Sequence, residues 1–232
     1  MAVREALSAA PVHELFVTDA TAARHADLVG LAAAGGARIS PVTDRAAAGL
    51  SDTVTPQGIV AVCSLLDVPV AAALAGRPTL VAVLAGVADP GNAGTVIRVA
   101  DAAGADAVLL AGNSVDPHNG KAVRASTGSL FHLPLARDRD AMAVLEACRD
   151  AGLTAVVADP GGELDLYGPA ADALLRGPHA WVFGGEAHGV EAGLARRADH
   201  RVRIPILGRA ESLNLATAAA VCLYASVAAR TR

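Results

Sequence analysis

The sequence predicts an α/β protein: a small α/β unit followed by a larger one built on a parallel sheet with helices on both faces. Two observations lead there. Short apolar runs bounded by glycine and proline, such as Thr79–Ala85 (TLVAVLA), alternate with helical stretches. Strands that are apolar on both faces belong to sheets covered from each side. The interior is also aliphatic, since 53% of residues are apolar and only 3% aromatic. A chain of 232 residues is long enough to bury a sizeable core of this kind.

In chain order, Arg4–Ala10 reads as a helix fragment and His13–Thr18 (HELFVT) as a strand. Ala20–Ala34 reads as one alanine-rich helix ended by Gly35-Gly36. Arg38–Val42 looks extended, Asp44–Leu50 helical, and Gly58–Cys63 (GIVAVC) is a buried strand. These elements make a small domain over residues 1–63, which opens inside a helix with no strand before it. Residues 64–78 carry Pro69, Gly76 and Pro78 and read as a linker. The larger domain spans 79–232. Its strands are Thr79–Ala85, Ala107–Leu110, Thr154–Ala158 and Ala180–Phe183, and its helices Gly94–Ala103, Ala141–Ala151 and Leu213–Ala229.

Composition excludes several classes. No apolar stretch reaches the ~18 residues of a membrane span, and Arg4 and Glu5 interrupt any signal-type apolar core. The expectation is a soluble cytoplasmic protein with no membrane partner. Cys63, Cys148 and Cys222 are far apart and form no CxxC pair, so they read as small hydrophobes and no metal is expected. The formal charge of −4 weighs against a dedicated nucleic-acid binder, although Lys121/Arg124, Arg137/Arg139, Arg196/Arg197 and Arg201/Arg203 could form basic patches.

Ligands of open parallel sheets bind beyond the carboxyl ends of the strands. Three loops so placed, 86–94, 184–190 and 205–214, are rich in Gly, Pro, Asn or Glu. In the first, Asn92 reads as a helix N-cap, and Gly94 leaves space for Arg98 four residues on, near a helix end that favours phosphate. An ordinary capped helix with a surface arginine fits the same residues. In the second, Gly184-Gly185 permit close backbone approach, Glu186 reads as the start of a helix, and His188 is either a base or a loop histidine. In the third, Glu211-Ser212 and Asn214 crowd polar groups beside apolar Ile204, Leu207 and Leu213. That suits a cofactor with a flat base and a polar tail, or an elaborate helix cap.

Competing fingerprints are absent. No G-x-G-x-x-G follows Thr79–Ala85, and Gly120-Lys121 lacks the Walker spacing. No HExxH or G-x-S-x-G occurs.

In this order and spacing, DPGNAGTVIRVADAAGADAVLL, KAVRASTGSLFHLPL, FGGEAHGV and IPILGRAESLNLATAAAVCLY resemble the SpoU (TrmH) family of RNA ribose methyltransferases, over roughly residues 79–229. The resemblance implies a parallel α/β domain with a C-terminal deep trefoil knot, an exception to the rule against threaded loops. It also implies a homodimer, S-adenosylmethionine as cofactor, and methyl transfer to a ribose 2′-hydroxyl in structured RNA. Only RNA offers that hydroxyl. Ribosomal RNA is the expected substrate, because the first domain resembles the small RNA-recognition domain of members acting there, abbreviated here at its N-terminus. A transfer-RNA methyltransferase and a non-catalytic RNA-binding relative are the alternatives. Carried over residue by residue, Gly184, Ile204 and Leu213 would line the adenosine pocket, completed by Gly185, Glu186, Pro205, Leu207 and Ser212. Asn92 and Arg98 would face the substrate, with Glu186, Ser212 and Asn214 ordering the site.

Overall fold

A computed structural model describes the chain from Ala2 to Thr231; Met1, Asp52, Val54 and Arg232 lie outside the described residues. The chain divides into two units. One comprises the residues up to Leu66 together with Thr127–His132, and the other holds Asp67–Ser126 and Leu133 onward.

In the first unit the order is α1 (Ala2–Ala9), β1 (Val12–Val17), α2 (Asp19–Arg24), α3 (Ala26–Ala34), β2 (Arg38–Pro41), α4 (Asp44–Gly49) and β3 (Ile59–Cys63). β1 is the middle strand, parallel to β2 and antiparallel to β3. Its inward residue Leu15 packs with Ala32 and Ala37, supported by Val3, Leu7 and Val29. The single helix expected over 20–34 is two helices. The chain breaks at His25 (φ −122°, ψ 45°), where its own N–H still bonds Thr21 O. Alanine richness alone cannot signal such a break, because propensity is a weak prior against local packing.

The second unit contains α5 (Val70–Ala73), β4 (Leu80–Ala85), α6 (Pro90–Ala102), β5 (Ala107–Ala111), α7 (Gly120–Ser126), β6 (Leu135–Asp138) and α8 (Ala141–Asp150). It continues with β7 (Thr154–Ala158), β8 (Leu164–Asp165), α9 (Pro169–Arg176), β9 (His179–Gly184), α10 (Ala192–Arg197), β10 (His200–Arg203) and α11 (Leu215–Arg230). Seven strands form one sheet in the order β6-β5-β4-β9-β7-β10-β8, and all the pairings are parallel. β4, β5 and β9 are buried at every position. On one face Val81, Val83, Leu109 and Val182 pack against Val144, Leu145 and Cys148 of α8 and Leu194 of α10. On the other lie α6 and α11, with α11 in contact with α6, α9 and β9.

β6, β8 and β10 escape sequence reading because they are short and polar: in HRVR of β10 only Val202 is fully buried. Residues 67–78, read as linker, carry α5, and Val68 N–H donates to Leu135 O of β6 at 2.9 Å. A buried polar group ties α11 to β9. His179 Nδ1 lies 2.8 Å from Gly177 O, its Nε2 2.8 Å from Ser226 Oγ, and Trp181 Nε1 donates to the same hydroxyl at 2.9 Å. A carbonyl only accepts, so Nδ1 carries the proton and Nε2 is an acceptor, sharing the single Ser226 hydroxyl proton with Cys222 O at 3.2 Å. Burial holds His179 neutral, its pKa pushed down to about 4.

Candidate active site

The first turn of α6 starts the site. Asp89 is its N-cap, accepting from Asn92 N–H at 2.8 Å, with proline at the next position. Asn92 therefore lies inside the helix and is not the cap, which frees its amide for other partners. Lys121 Nζ donates to Asp89 Oδ2 at 2.6 Å. That contact, with the Asn92 N–H, holds the Asp89 carboxyl below the usual carboxylate range.

The freed amide joins two distant segments. Asn92 Nδ2 donates to Glu186 Oε1 at 2.7 Å, and Asn214 Nδ2 donates to Asn92 Oδ1 at 3.2 Å. Asn214 Oδ1 in turn caps α11, accepting from Ala216 N–H at 2.9 Å and Thr217 N–H at 3.3 Å. The chain has one polarity, from helix N–H groups through two amides to a carboxylate that only accepts.

Glu186 is not at a helix start. It sits in a turn closed by pairing of Gly185 with Gly189, where Gly189 N–H bonds Gly185 O at 2.9 Å, and α10 begins only at Ala192. The glycines are required by main-chain packing: a Cβ on Gly184 would lie 2.0 Å from the Gly189 carbonyl carbon, and one on Gly185 2.5 Å from Gly86 O. Gly94 likewise makes no room for Arg98. A Cβ there would lie 2.3 Å from Ala122 O, so this glycine lets α6 and α7 pack closely. Arg98 is exposed and makes no side-chain hydrogen bond or ion pair among the described residues.

The third loop stands in the open. Ile204 and Pro205 are half-buried, Ser212 and Leu213 exposed, and Leu207 98% exposed. Of the three polar residues expected to crowd the helix start, Asn214 alone caps it, and Ser212 makes no side-chain bond among the described residues. A cleft of about 1020 Å³ opens over the carboxyl ends of β4, β5 and β9, lined among others by Gly86, Asn113, Arg139, Met142, Glu186 and His188. Gly185 and Glu186 line it; Gly184, Ile204, Pro205, Leu207, Ser212 and Leu213 do not. The structure thus gathers Asn92, Glu186 and Asn214 in one chain of bonds and leaves the 204–213 loop outside this cleft.

Sequence reasoning took Lys121 for a patch residue beside Arg124 and gave the cap to Asn92, missing the Asp89 cap and its bond to Lys121, although an Asp directly before Pro at a helix start is a capping signal. It also missed the turn after β7, where Asp159 N–H bonds Val202 O at 3.0 Å and Arg203 donates to Gly162 O at 3.1 Å. The basic pairs are largely neutralised within the fold: Arg137 by Asp67 and Asp116, Arg197 by Glu146, Arg201 by Asp159 and Glu163, and Arg203 by Asp165. Cys148 and Cys222 are buried and Cys63 half-buried; burial pushes the Cys148 thiol up to about 12. Among the described residues no cluster of His, Cys, Asp or Glu is set to hold a metal ion, and no helix is long and apolar enough to cross a membrane.

A parallel sheet with an amide–carboxylate chain at its carboxyl edge defines an α/β protein with a polar site between three loops. Residues 79–224 match the SpoU rRNA Methylase family, and residues 1–69 match the family described as RNA 2′-O ribose methyltransferase substrate binding. The chain belongs to the SpoU rRNA methylase family. It is 37% identical over 183 residues to the 23S rRNA (guanosine(2553)-2′-O)-methyltransferase of Bacillus subtilis, covering 79% of this chain and 70% of that protein. A 23S rRNA (guanosine-2′-O-)-methyltransferase of Ralstonia nicotianae is 32% identical over 213 residues, covering 90% and 84%. The SpoU methyltransferase AviRb of Streptomyces viridochromogenes, solved in complex with the cofactor AdoMet, superposes with a TM-score of 0.85 at 29% identity, over 100% of this chain and 89% of that one.

Proposed function

We propose that the chain transfers the methyl group of S-adenosylmethionine to the 2′-hydroxyl of a ribose in 23S ribosomal RNA. The observation that carries this reading is the Asn92–Glu186–Asn214 chain, which draws the three loops of the family resemblance together. The two relatives named above as 23S rRNA 2′-O-methyltransferases support the substrate.

The residues present fit the cofactor. Leu207 and Leu213 present apolar side chains on the 204–213 loop, where they can cover a flat ring. Gly184 and Gly185 pack main chain on main chain, Gly184 against Gly189 and Gly185 against Gly86 O, which fixes the backbone of this loop. Gly184, Gly185, Ile204, Pro205, Leu207 and Leu213 would hold the adenosine half, with Glu186 and Ser212 toward its polar end. When bound, S-adenosylmethionine supplies an electrophilic methyl group on a sulfonium.

Most of the protein's work in such a displacement is alignment. The hydrogen-bonded chain fixes the Asn92 amide and the Glu186 carboxylate, so neither has to reorganise when a ribose arrives. Arg98 brings a planar guanidinium whose fork matches a phosphate. Its role is to grip the phosphate next to the acceptor ribose and to favour the developing alkoxide. The C-terminal loops are read as a trefoil knot and the working form as a homodimer. The apolar exposure of Tyr224 on α11 supports a partner surface. A ribosomal substrate agrees with a cytoplasmic location.

The test is calorimetric titration with S-adenosylmethionine, followed by transfer of labelled methyl groups to 23S rRNA and to bulk tRNA. One site per chain, lost in Leu213→Asp, whose side chain is exposed, with label on 23S rRNA alone, is the expected result. Absence of binding in the parent would remove the enzymatic reading, and label on tRNA alone would replace the substrate.

A further inference from the structure

We propose that the cleft over the carboxyl ends of β4, β5 and β9 seats the nucleobase of the target nucleotide, turned out of the RNA, with an adjoining phosphate on Arg139. The proposal rests on the methyltransferase reading above and names the part of the substrate that this face of the site recognises.

The floor of the cleft is main chain. Gly86 and Gly112 both hold left-handed backbone (φ 72° and 65°). They are tied down by Gly86 N–H to Ala111 O at 3.1 Å and Gly112 N–H to Asp138 O at 2.9 Å. Gly185 lies directly on Gly86 O. The result is a fixed ledge with no side chain rising from it. Met142 and Leu194 supply apolar walls. A ledge between a thioether and a leucine suits a flat, polarisable ring.

The polar groups around it fall into two sets. Asp138, Asp140 and Ser114 are spent on the fold: Asp138 accepts from Asp140 N–H, Asp140 from Met142 and Ala143 N–H, and Ser114 donates to main-chain carbonyls. Asn113, Arg139, His188 and Glu191 line the cleft itself, as Asp140 does and Asp138 and Ser114 do not, and none of the four has a side-chain hydrogen bond or ion pair among the described residues. Together they offer donors and acceptors, as the edge of a nucleobase demands, and one fixed cation, as its phosphate demands. Sequence-specific RNA readers take bases in this way from unpaired loops.

Glu186 connects the cleft to the chemistry. Its carboxylate lines the cleft while Oε1 holds Asn92. A base seated there puts its own ribose beside the Asn92–Glu186 pair. Of the residues assigned to the cofactor, Gly185 and Glu186 line this space while Gly184, Ile204, Pro205, Leu207, Ser212 and Leu213 do not, so base and cofactor meet at Gly185–Glu186 and are otherwise seated apart. A volume of about 1020 Å³ exceeds what one base needs and leaves room for the flanking sugar and phosphate.

The experiment compares Arg139→Ala, Asn113→Ala and Met142→Trp with the parent. It measures S-adenosylmethionine affinity by calorimetry, and kcat and KM on a 23S rRNA fragment across a salt series. The expected result is cofactor affinity within about twofold in all three variants. KM should rise about tenfold in Arg139→Ala, with the slope of log KM against log salt reduced by about 0.7, the share of one single-strand phosphate. Met142→Trp, which fills the slot, should lose about a hundredfold in kcat/KM. Loss of cofactor affinity in Met142→Trp would make the cleft the cofactor's own and overturn the proposal, as would three variants with parental KM and salt slope. If Met142→Trp fails to fold, the two polar variants decide alone. A parent that neither binds cofactor nor transfers methyl fails the underlying reading instead.

Discussion

Asn92 Nδ2 donates to Glu186 Oε1 at 2.7 Å, and Asn92 can make that bond in one orientation only, because its Oδ1 already accepts from Asn214. Cutting the middle of this chain strands both ends. Asn92→Ala should lower single-turnover methyl transfer by about 10²–10³-fold, the usual cost of losing one preorganised polar group at a reacting centre. Cofactor affinity by calorimetry should stay within a few fold. A parental single-turnover rate in this variant would show that the chain is structural only.

Arg98 supports nothing locally, since no described side chain depends on it. Arg98→Ala should therefore leave thermal stability within about 0.5 kcal/mol of the parent. Its turnover should drop at least a hundredfold, and Arg98→Lys should recover little of it, because a point charge does not reproduce a bidentate fork. Denaturation curves and methyl-transfer rates on the same preparations check both halves. A lysine variant near parental activity would reduce the role to bare charge.

Gly94 predicts the opposite pattern. A methyl group there meets the Ala122 carbonyl at 2.3 Å, and main-chain atoms cannot step aside as a flexible side chain would. Gly94→Ala should cost about 1–3 kcal/mol by overpacking, despite alanine's better helix propensity. The midpoint of urea unfolding reads this directly; a stabilised variant would mean that α6 and α7 move apart freely.

His179 makes stability depend on pH. Its folded pKa, about 4, lies below the ordinary histidine value, so the unfolded chain binds a proton that the folded chain does not. The contribution is fully present above about pH 6.5 and is lost progressively as pH falls toward 4. The full loss is about 3 kcal/mol at roughly 1.4 kcal/mol per unit. Unfolding free energies between pH 7 and 4 should show this slope, and His179→Gln should flatten it. Ser226→Ala, which leaves the Trp181 N–H and His179 Nε2 without their shared partner, should cost about 1–3 kcal/mol at neutral pH. Equal slopes in parent and His179→Gln would assign the pH dependence elsewhere.

The fully buried strands were legible because burial on both faces writes uninterrupted apolar runs, as in Thr79–Ala85 and Ala180–Phe183. Edge and near-edge strands were not, since Leu135–Asp138 and His200–Arg203 bury little and look like loops. In the site, residue types pointed to Asn92, Glu186 and Asn214, but not to their mutual bonds, which join positions far apart in sequence. The helix start was misread by three residues because two nearby candidates, Asp89 and Asn92, are both capping types. Only the fold shows which one accepts. Gly94 was misread for a similar reason: a missing side chain looks like space for a neighbour on the same helix until the facing helix is known.

The neutralised arginines set how this chain meets RNA. With Arg137, Arg197, Arg201 and Arg203 already answered by carboxylates and a formal charge of −4, the hold on a polyanion falls to arginines without an ion pair among the described residues, Arg98, Arg124, Arg139 and Arg196 among them. Encounters with the wrong RNA should therefore be brief, because few counterions are released and little is gained by lingering. Association should be slower than for an electrostatically steered binder. In exchange, residence is governed by whether a nucleotide fits, so discrimination lies in the departure rate rather than in the arrival rate.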